Sequence, residues 1–310
     1  MPRINCQQSR DFLKSIQANF REYQDILAEY QRTGQRIIEI ALNNKKEHLE
    51  NLVDILKEEL QLVSFDAAIE ILGNDFLGPV AIFKTWNIRL ETKDIPPIPF
   101  SKEDLERAKQ LNQFLILRIP LTMKEMEEKY KGGNAFQNDD WFKEEDFYTK
   151  ETSKPGWALV SKEPIPDSTS ANYLEQTQVI CDYLDSLVFG DVDEMPEIYQ
   201  DAIIEFEAKK EAVFKDLITS DGREAAKVLS ELQISKLTRQ SPADVIHDLM
   251  VYKQSNGERL LESMYTFTSV RSSDGGLVCV GRFDSDGVDV DSGFPSNTGD
   301  SLGVCFSRSL

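Results

Sequence analysis

Hydrophobic residues recur every three or four positions through the first seventy residues, and this spacing predicts amphipathic helices. One series runs over residues 12–30 and a second over residues 49–63, where Val53, Leu56 and Leu60 share the apolar stripe. The near-heptad spacing is typical of a helical hairpin or a coiled-coil contact. Packing within one chain and homo-oligomerisation through these helices are both open. We assign residues 1–74 to this helical region.

From residue 75 to residue 256, helical spacing alternates with short apolar runs. The prolines of KDIPPIPF predict an extended linker, and Ser101 followed by Asp104 predicts the capped start of a helix. QFLILRIP and PGWALVSKEPIP have the length of strands. STSANYLEQTQVICDYLDSLVF predicts a capped helix, and residues 196–256 predict further helices with Pro242 opening a new one.

The final fifty residues change to strand-like runs separated by Gly, Ser and Asp turns. These runs are MYTFTSVR, GLVCVGRF, GVDV and SLGVCFSR. Helices followed by strands predict an α+β domain over residues 75–310 that ends in an antiparallel sheet. We expect residues from about 97 onward to form one α+β domain, with the last four strands packed together and Ser301–Arg308 inside the sheet.

The charge of the chain restricts its partners. Its formal net charge of -19 disfavours nucleic acid and anionic membranes, since both are bound by clustered Lys and Arg. The chain is 40% hydrophobic, which is enough for a core. Neither a signal peptide nor a membrane span is expected. The default compartment is therefore the cytoplasm, with surface display as the alternative.

Residue types that perform acid–base or metal chemistry are scarce. The two histidines, His48 and His247, lie in charged helical patterns, and each is expected to be a surface or packing residue. The four cysteines form no CxxC pair, which disfavours a zinc site. The sequence does not decide whether Cys279 and Cys305 form a disulfide. We expect no catalytic residue, metal or cofactor.

One polar stretch, DSDGVDVDSGFPSNTGDS from Asp284 to Ser301, stands between apolar strands. As an EF-hand loop it would need a ligand at position five, Gly at six and Glu at twelve, where Val288, Asp289 and Pro295 stand. As a disordered tail it would not be followed by SLGVCFSR, which has the apolar content of a buried strand. The stretch therefore predicts loops and an edge held on a sheet.

The composition of the same region changes abruptly. Lys, Glu, Gln, Met and Trp make up 74 of the first 271 residues but are absent from the last 39. Gly, Ser and Asp supply 21 of those 39, in part because turns favour them. Random replacement of the first two bases of an AAC codon produces Asn, Asp, Ser, Gly, Thr and Phe, among others. It never produces the five absent types.

The C-terminal segment GLVCVGRFDSDGVDVDSGFPSNTGDSLGVCFSRSL resembles the end of target proteins of diversity-generating retroelements, which have a C-type lectin fold. MYTFTSVRSSDGG resembles the strand that leads into it, and PGWALVSKEPIPDSTSANYLEQTQVICDYLD resembles the early strand and helix of that fold. The likeness covers roughly residues 97–310 and is strongest over the last fifty. It implies a bacterial or phage protein whose adenine-containing codons are rewritten over about residues 272–310.

In this family constant residues build a scaffold, and variable residues point outward from one face. The resemblance implies a scaffold of Val278, Val280, Phe283, Val288, Val290, Leu302, Val304 and Phe306. It implies a ligand-binding variable face of Asp284, Asp286, Asp289, Asp291, Ser292, Phe294, Ser296, Asn297, Thr298, Asp300 and Ser301. Valine and aspartate alternate in GVDVD, as expected for a strand with one buried face.

The expected partner is a protein or another macromolecule that binds this face. Phe294 is the expected hydrophobic anchor among adaptable polar residues. Many faces in this family carry several Tyr or Trp, whereas this one has a single Phe and many acids, which favours a cationic partner surface. Two alternatives remain: a relative of formylglycine-generating oxidases that uses Cys279 and Cys305, and a helical structural or assembly protein.

Overall fold

The computed structural model describes most of the chain after residue 62. The described residues are 63–137, 140–190, 195–219 and 222–309, with 21, 23–25 and 45–46 before them. Contacts divide the chain into two units, Met1–Val63 and Ser64–Leu310. The predicted N-terminal stripe with Val53, Leu56 and Leu60 lies outside the described residues.

Helices supply much of the second unit. Its α-helices are α1 (Phe65–Leu72), α2 (Pro79–Trp86), α3 (Lys102–Gln110), α4 (Met123–Lys129), α5 (Asp146–Thr149), α6 (Tyr173–Tyr183), α7 (Glu197–Thr219), α8 (Arg223–Glu231), α9 (Gln233–Thr238) and α10 (Pro242–Asn256). The predicted capping box at the start of α3 is confirmed, with Ser101 and Asp104 each accepting the other's amide at 3.0 Å. Pro242 is the first residue of α10, as predicted.

The strands form two four-stranded sheets, so the α+β class is confirmed. They are β1 (Phe76–Leu77), β2 (Gln113–Arg118), β3 (Gly156–Ser161), β4 (Tyr265–Arg271), β5 (Leu277–Asp284), β6 (Gly287–Gly293), β7 (Leu302–Gly303) and β8 (Ser307–Ser309). The first sheet has the order β1-β2-β3-β8 and the second β6-β5-β4-β7. Neighbours are antiparallel except that β1 is parallel to β2 and β7 is parallel to β4.

The predicted antiparallel terminal sheet is confirmed for β4, β5 and β6, but the prediction that Ser301–Arg308 lies inside that sheet was wrong. SLGVCFSR divides into β7, in the second sheet, and β8, which pairs with β3 in the first. Val304, Cys305 and Phe306 connect the two pieces and are all buried. Three consecutive buried residues do not fit a strand with one solvent face, because such a strand exposes every second residue. The end of the chain therefore fastens the two sheets to each other.

The predicted linker packs into the domain instead of separating two domains. Residues 95–100 are not helical, as expected, but Ile98 and Phe100 are buried. The Trp157 indole also donates a hydrogen bond to the Pro96 carbonyl at 2.8 Å. The compact unit accordingly extends back to Ser64, so α1 belongs to it although we assigned residues up to 74 to the N-terminal region.

Charged residues are buried where α10 crosses the first sheet. Arg118, the last residue of β2, donates two hydrogen bonds to Asp248, at 3.0 and 2.6 Å, and both side chains are 3% exposed. Gln240 donates a further bond to Asp248 at 2.7 Å. His247 is fully buried beside this pair, so it is a packing residue. A buried ion pair persists when hydrogen bonds satisfy its remaining polar atoms.

Candidate binding face

The candidate residues begin on the hairpin of β5 and β6, which a two-residue turn connects. Asp284 and Gly287 are opposite each other in the register, and the Asp284 carboxylate accepts the Asp286 amide at 2.8 Å. Gly287 has a φ of 119°, which favours glycine. A Cβ atom there would lie 2.6 Å from the Phe136 carbonyl oxygen. Glycine is therefore required at this turn.

The outer edge of β6 is covered by residues 135–141. The Val288 amide donates to the Ala135 carbonyl at 3.0 Å, and the Gln137 amide donates to the Val288 carbonyl at 3.1 Å. The Trp141 indole donates to the Val290 carbonyl at 2.8 Å. Covered edges do not recruit other strands. The face is therefore presented by side chains and not by unpaired backbone.

Alternation along β6 separates scaffold from surface. Val288 and Val290 are 0% and 1% exposed, whereas Asp289 is half-buried and Asp291 is exposed. This confirms the alternation predicted from GVDVD. Of the predicted scaffold residues, all are buried except Leu302, which is half-buried because it lies at the rim of a cavity described below.

None of the eleven candidate face residues is buried. The exposed ones are Asp284, Asp286, Asp291, Phe294, Ser296, Asn297, Thr298 and Asp300, and the half-buried ones are Asp289, Ser292 and Ser301. Phe294 is 42% exposed and is the exposed large hydrophobic residue of the segment. An exposed aromatic ring among small polar residues is a favourable contact for a protein partner.

The loop after β6 is held in place by backbone hydrogen bonds to the scaffold. The Pro295 carbonyl accepts the Tyr173 amide at 3.0 Å, at the start of α6. The Gly299 carbonyl accepts the Ser170 amide at 3.1 Å, and the Ser301 carbonyl accepts the Tyr265 amide at 2.7 Å. The prediction of loops held on a sheet is therefore confirmed, and the side chains of this loop lie on a fixed backbone.

A cavity of about 340 Å³ opens between β6 and this loop. Its lining consists of Tyr265, Phe267, Cys279, Asp291, Ser292, Gly293, Asn297, Thr298, Gly299, Ser301 and Leu302. Five of these residues are candidate variable positions. Tyr265, Phe267 and Cys279 come instead from the central strands β4 and β5, so the cavity has a floor of sheet residues and a rim of candidate variable positions.

Asp289, an acid of the candidate face, is hydrogen-bonded to a residue of the cavity floor. The Tyr265 hydroxyl donates a hydrogen bond to the Asp289 carboxylate. Burial and this hydrogen bond raise the pKa of Tyr265 above its ordinary value. The tyrosine therefore stays a neutral hydrogen-bond donor at physiological pH. The Asp289 carboxylate, which accepts this hydrogen bond, is oriented by the scaffold.

The cysteines are buried thiols. Cys279 and Cys305 are free, so the disulfide left open by the sequence is not formed. Burial raises the pKa of Cys279, and the carboxylates of Asp291 and Asp289 raise it further. Burial also raises the pKa of Cys305, to about 12. Thiols act as nucleophiles and metal ligands in the thiolate form, which these environments disfavour.

Sequence reasoning missed the floor of the cavity. Tyr265 and Phe267 lie on β4 before the compositionally distinct segment, and the alternation in MYTFTSVR places them on one face of that strand. That periodicity was the available signal. It did not identify a floor, because it does not show which residues of the tail lie opposite β4.

The chain matches no protein-family model, no curated protein and no solved structure. Over the described ranges, no helix has the length and apolar character needed to cross a membrane. Within those same ranges, no group of three or more His, Cys, Asp or Glu side chains is arranged to hold a metal ion.

Proposed function

We propose that this protein is a non-enzymatic ligand-binding protein that displays a hypervariable surface on a C-type lectin scaffold, diversified by a retroelement. The observation that carries the proposal is that residue composition and burial divide the C-terminal segment in the same way. Residues 272–310 lack the five residue types that adenine-directed change of an AAC codon does not produce. All eleven candidate positions in that segment are exposed or half-buried, while the valines between them are buried.

The arrangement of the second unit supports a scaffold of this kind. The early strand and helix of the resemblance correspond to β3 and α6, and its leading strand corresponds to β4. The variable segment lies between β5 and β8, which are both anchored in sheets. Sequence change between two anchored strands alters the surface while the core contacts are kept.

The geometry also suggests how a partner is bound. The rim of the 340 Å³ cavity carries Asp291, and Asp289 lies beside it, so the opening favours a cationic group. Phe294 supplies an apolar contact outside the cavity. Small polar residues around one aromatic anchor resemble antibody loops in their use of adaptable hydrogen bonds.

The decisive test is the DNA around the gene. We expect a reverse-transcriptase gene and a near-copy of the codons for residues 272–310 that differs from them at adenines. The near-copy should carry those adenines in the codons that correspond to the eleven face positions, and the codons of Val280, Val288 and Val290 should be identical in both copies. A locus without the near-copy would contradict the proposal.

A paired library tests the same proposal on the protein. One library places NNC codons at the eleven face positions, and the control library places them at scaffold positions, including Val280, Val290 and Phe306. We expect most members of the face library to fold, because surface changes usually shift stability by less than about 0.5 kcal/mol. Most members of the control library should not fold. Equal folded fractions would contradict the assignment of the face.

A further inference from the structure

A second cavity, of about 220 Å³, lies where α9, the start of α10 and the edge strand β8 meet. Its lining consists of Arg118, Thr152, Lys154, Lys236, Leu237, Arg239, Ser241, Asp244, Ser269, Ser307 and Ser309. It shares no lining residue with the cavity of the candidate binding face. Four cations, four serines and one threonine therefore converge from segments far apart in the sequence.

The lining is strongly cationic in a chain whose net charge is -19. Asp244 is its one acid, and the Asp244 carboxylate is already engaged by the Lys154 amide at 2.8 Å and by the Ser241 cap. The first turn of α10 adds the partial positive charge of a helix N-terminus. A cavity lined by one sign of charge concentrates counter-ions from solution.

Arg239 is the strongest indication that an anion belongs here. Its side chain is 4% exposed, and its guanidinium lies 3.6 Å over the ring of Tyr173. It donates to three neutral acceptors, the Gln176 side-chain carbonyl, the Tyr173 backbone carbonyl and the Thr177 hydroxyl, each at 3.2 Å. Its Nε has no hydrogen-bond partner, and within the described ranges it forms no salt bridge with a carboxylate.

The contrast with Arg118 shows what Arg239 lacks. Arg118 is equally buried but has two hydrogen bonds to Asp248. An unpaired buried charge is costly, and proteins compensate it with a counter-ion. Burial accordingly lowers the pKa of Arg239, whereas the pKa of Arg118 is raised by Asp248 against the effect of burial.

Two hydroxyls are arranged to donate to an anion. Ser307 accepts a hydrogen bond from Arg118 at 3.2 Å, and Ser309 accepts one from Lys154 at 2.8 Å. Each hydroxyl therefore uses an oxygen lone pair for a cation and keeps its own hydrogen for another acceptor. Hydrogen bonds of this kind to an oxyanion are shorter and stronger than those between neutral groups.

We propose that this cavity binds a small oxyanion of the phosphate type. Its volume is below that of pockets for drug-sized ligands, so a phosphate group with at most a small organic substituent is the fitting class. Arg239, Lys236 and Lys154 supply the charge, and Ser307 and Ser309 supply donors. None of its lining residues is one of the eleven candidate face positions, so substitution at those positions does not change the residues of the site.

Calorimetric titration of the full chain tests the proposal. Inorganic phosphate and glycerol phosphate are the two probes, with sodium chloride at equal ionic strength as the reference. We expect saturable binding of phosphate and none of chloride. If glycerol phosphate binds more tightly than inorganic phosphate, the source of the group is an organic monoester. If it binds more weakly, the source is the free ion.

The matched variants are the double change Lys154→Gln with Lys236→Gln and the double change Lys102→Gln with Lys124→Gln. All four lysines are exposed, so both variants should fold and both remove two charges. We expect the first to weaken phosphate binding by about tenfold or more and the second by less than about twofold. Arg239→Gln should abolish binding.

Two results would overturn the proposal. One is the absence of saturable heat up to about 20 mM phosphate, a concentration beyond the usual range of specific sites. The other is an equal loss of affinity in the two lysine variants, which would mean that phosphate responds to the net charge and not to this cavity. Because the lysine pair is exposed, the test does not depend on the folding of Arg239→Gln.

Discussion

The two sheets differ in how their strands are buried. In β2 all six residues from Gln113 to Arg118 are buried, and in β3 five of the six from Gly156 to Ser161 are. In β6 the buried residues are Gly287, Val288 and Val290, and the others are half-buried or exposed. A strand covered on both faces has no position free of packing, whereas a strand covered on one face offers every second position to solvent. A variable surface is therefore compatible with β6, at the edge of the second sheet, and not with β2 or β3 of the first.

Substitution of the residues that join the two sheets should lower the free energy of unfolding more than any other substitution in the C-terminal segment. Phe306 is fully buried, packs 5.3 Å from the Tyr183 ring, and accepts the Ser161 amide at 2.9 Å. We expect Phe306→Asp to cost more than about 4 kcal/mol and to abolish cooperative unfolding in denaturant, because it buries an unpaired charge. Deleting the last ten residues should do the same.

The control for this variant is Ser296→Asp, which introduces the same charge in the same tail at an exposed position. Its free energy of unfolding should change by less than about 0.5 kcal/mol. A truncated chain or a Phe306→Asp variant that melts like the parent would show that the tail does not fasten the sheets.

The first sheet should also be sensitive at its buried charge. Arg118→Met leaves Asp248 buried without its cation, and we expect a loss of about 3–5 kcal/mol in the free energy of unfolding. The double variant with Asp248→Leu should recover most of that loss, since it removes the carboxylate that Arg118→Met leaves without a cation. Asp244, which lies 3.6 Å from Arg118, keeps its hydrogen bonds from the Lys154 amide and the Ser241 hydroxyl. Single and double variants of equal stability would show that the pair is not coupled.

The same pair predicts the response to acid. Burial raises the pKa of Asp248, but the Arg118 guanidinium outweighs it and holds the pKa below its usual value. A depressed folded-state pKa contributes stability above the unfolded value of about 3.9, and that stability is lost as the pH falls through the folded pKa. The free energy of unfolding should therefore fall less steeply in Asp248→Asn than in the parent as the pH is lowered below about 3.9.

Not every residue of the C-terminal segment should tolerate substitution, and Gly287 is one that should not. Alanine there combines an unfavourable φ of 119° with the close approach of Phe136. We expect Gly287→Ala to cost about 2–3 kcal/mol. Gly257→Ala is the control, because Gly257 also has a positive φ but no atom within 4 Å of the added Cβ. It should cost about 1 kcal/mol. Equal losses would mean that the contact with Phe136 is relieved easily.

Local patterns predicted the elements but not their long-range partners. The alternation of GVDVD and the capping box at Ser101 are local signals, and both were interpreted correctly. The pairing of residues 135–137 with β6 joins segments about 150 residues apart, and the 220 Å³ cavity collects its lining from several such segments. The division of SLGVCFSR between two sheets could not be predicted from the segment either, because an apolar run does not indicate which strands it will pair with.

The smallest effect on stability should come from the exposed positions of the face. Asp286, Asp291, Phe294 and Asn297 are exposed, and no hydrogen bond within the described ranges joins their side chains to the scaffold. We expect serine at all four to change the free energy of unfolding by less than about 0.5 kcal/mol per position. Binding of a partner selected on the parent face should be lost. The melting temperature and an affinity measurement on the same variant check both.

Two other acids of the face differ from these four residues, because each accepts a hydrogen bond from a residue outside the face. Asp289 accepts the Tyr265 hydroxyl, and Asp300 accepts the Ser170 hydroxyl at 2.6 Å. Valine at Asp289 should cost about 1 kcal/mol or more, since the half-buried Tyr265 hydroxyl loses its acceptor. Valine at the exposed Asp300 should cost less, since water replaces the lost partner. A collapse of stability in the four-serine variant, or a mean loss per position larger than that of Asp289→Val, would contradict a face whose fold is independent of its exposed side chains.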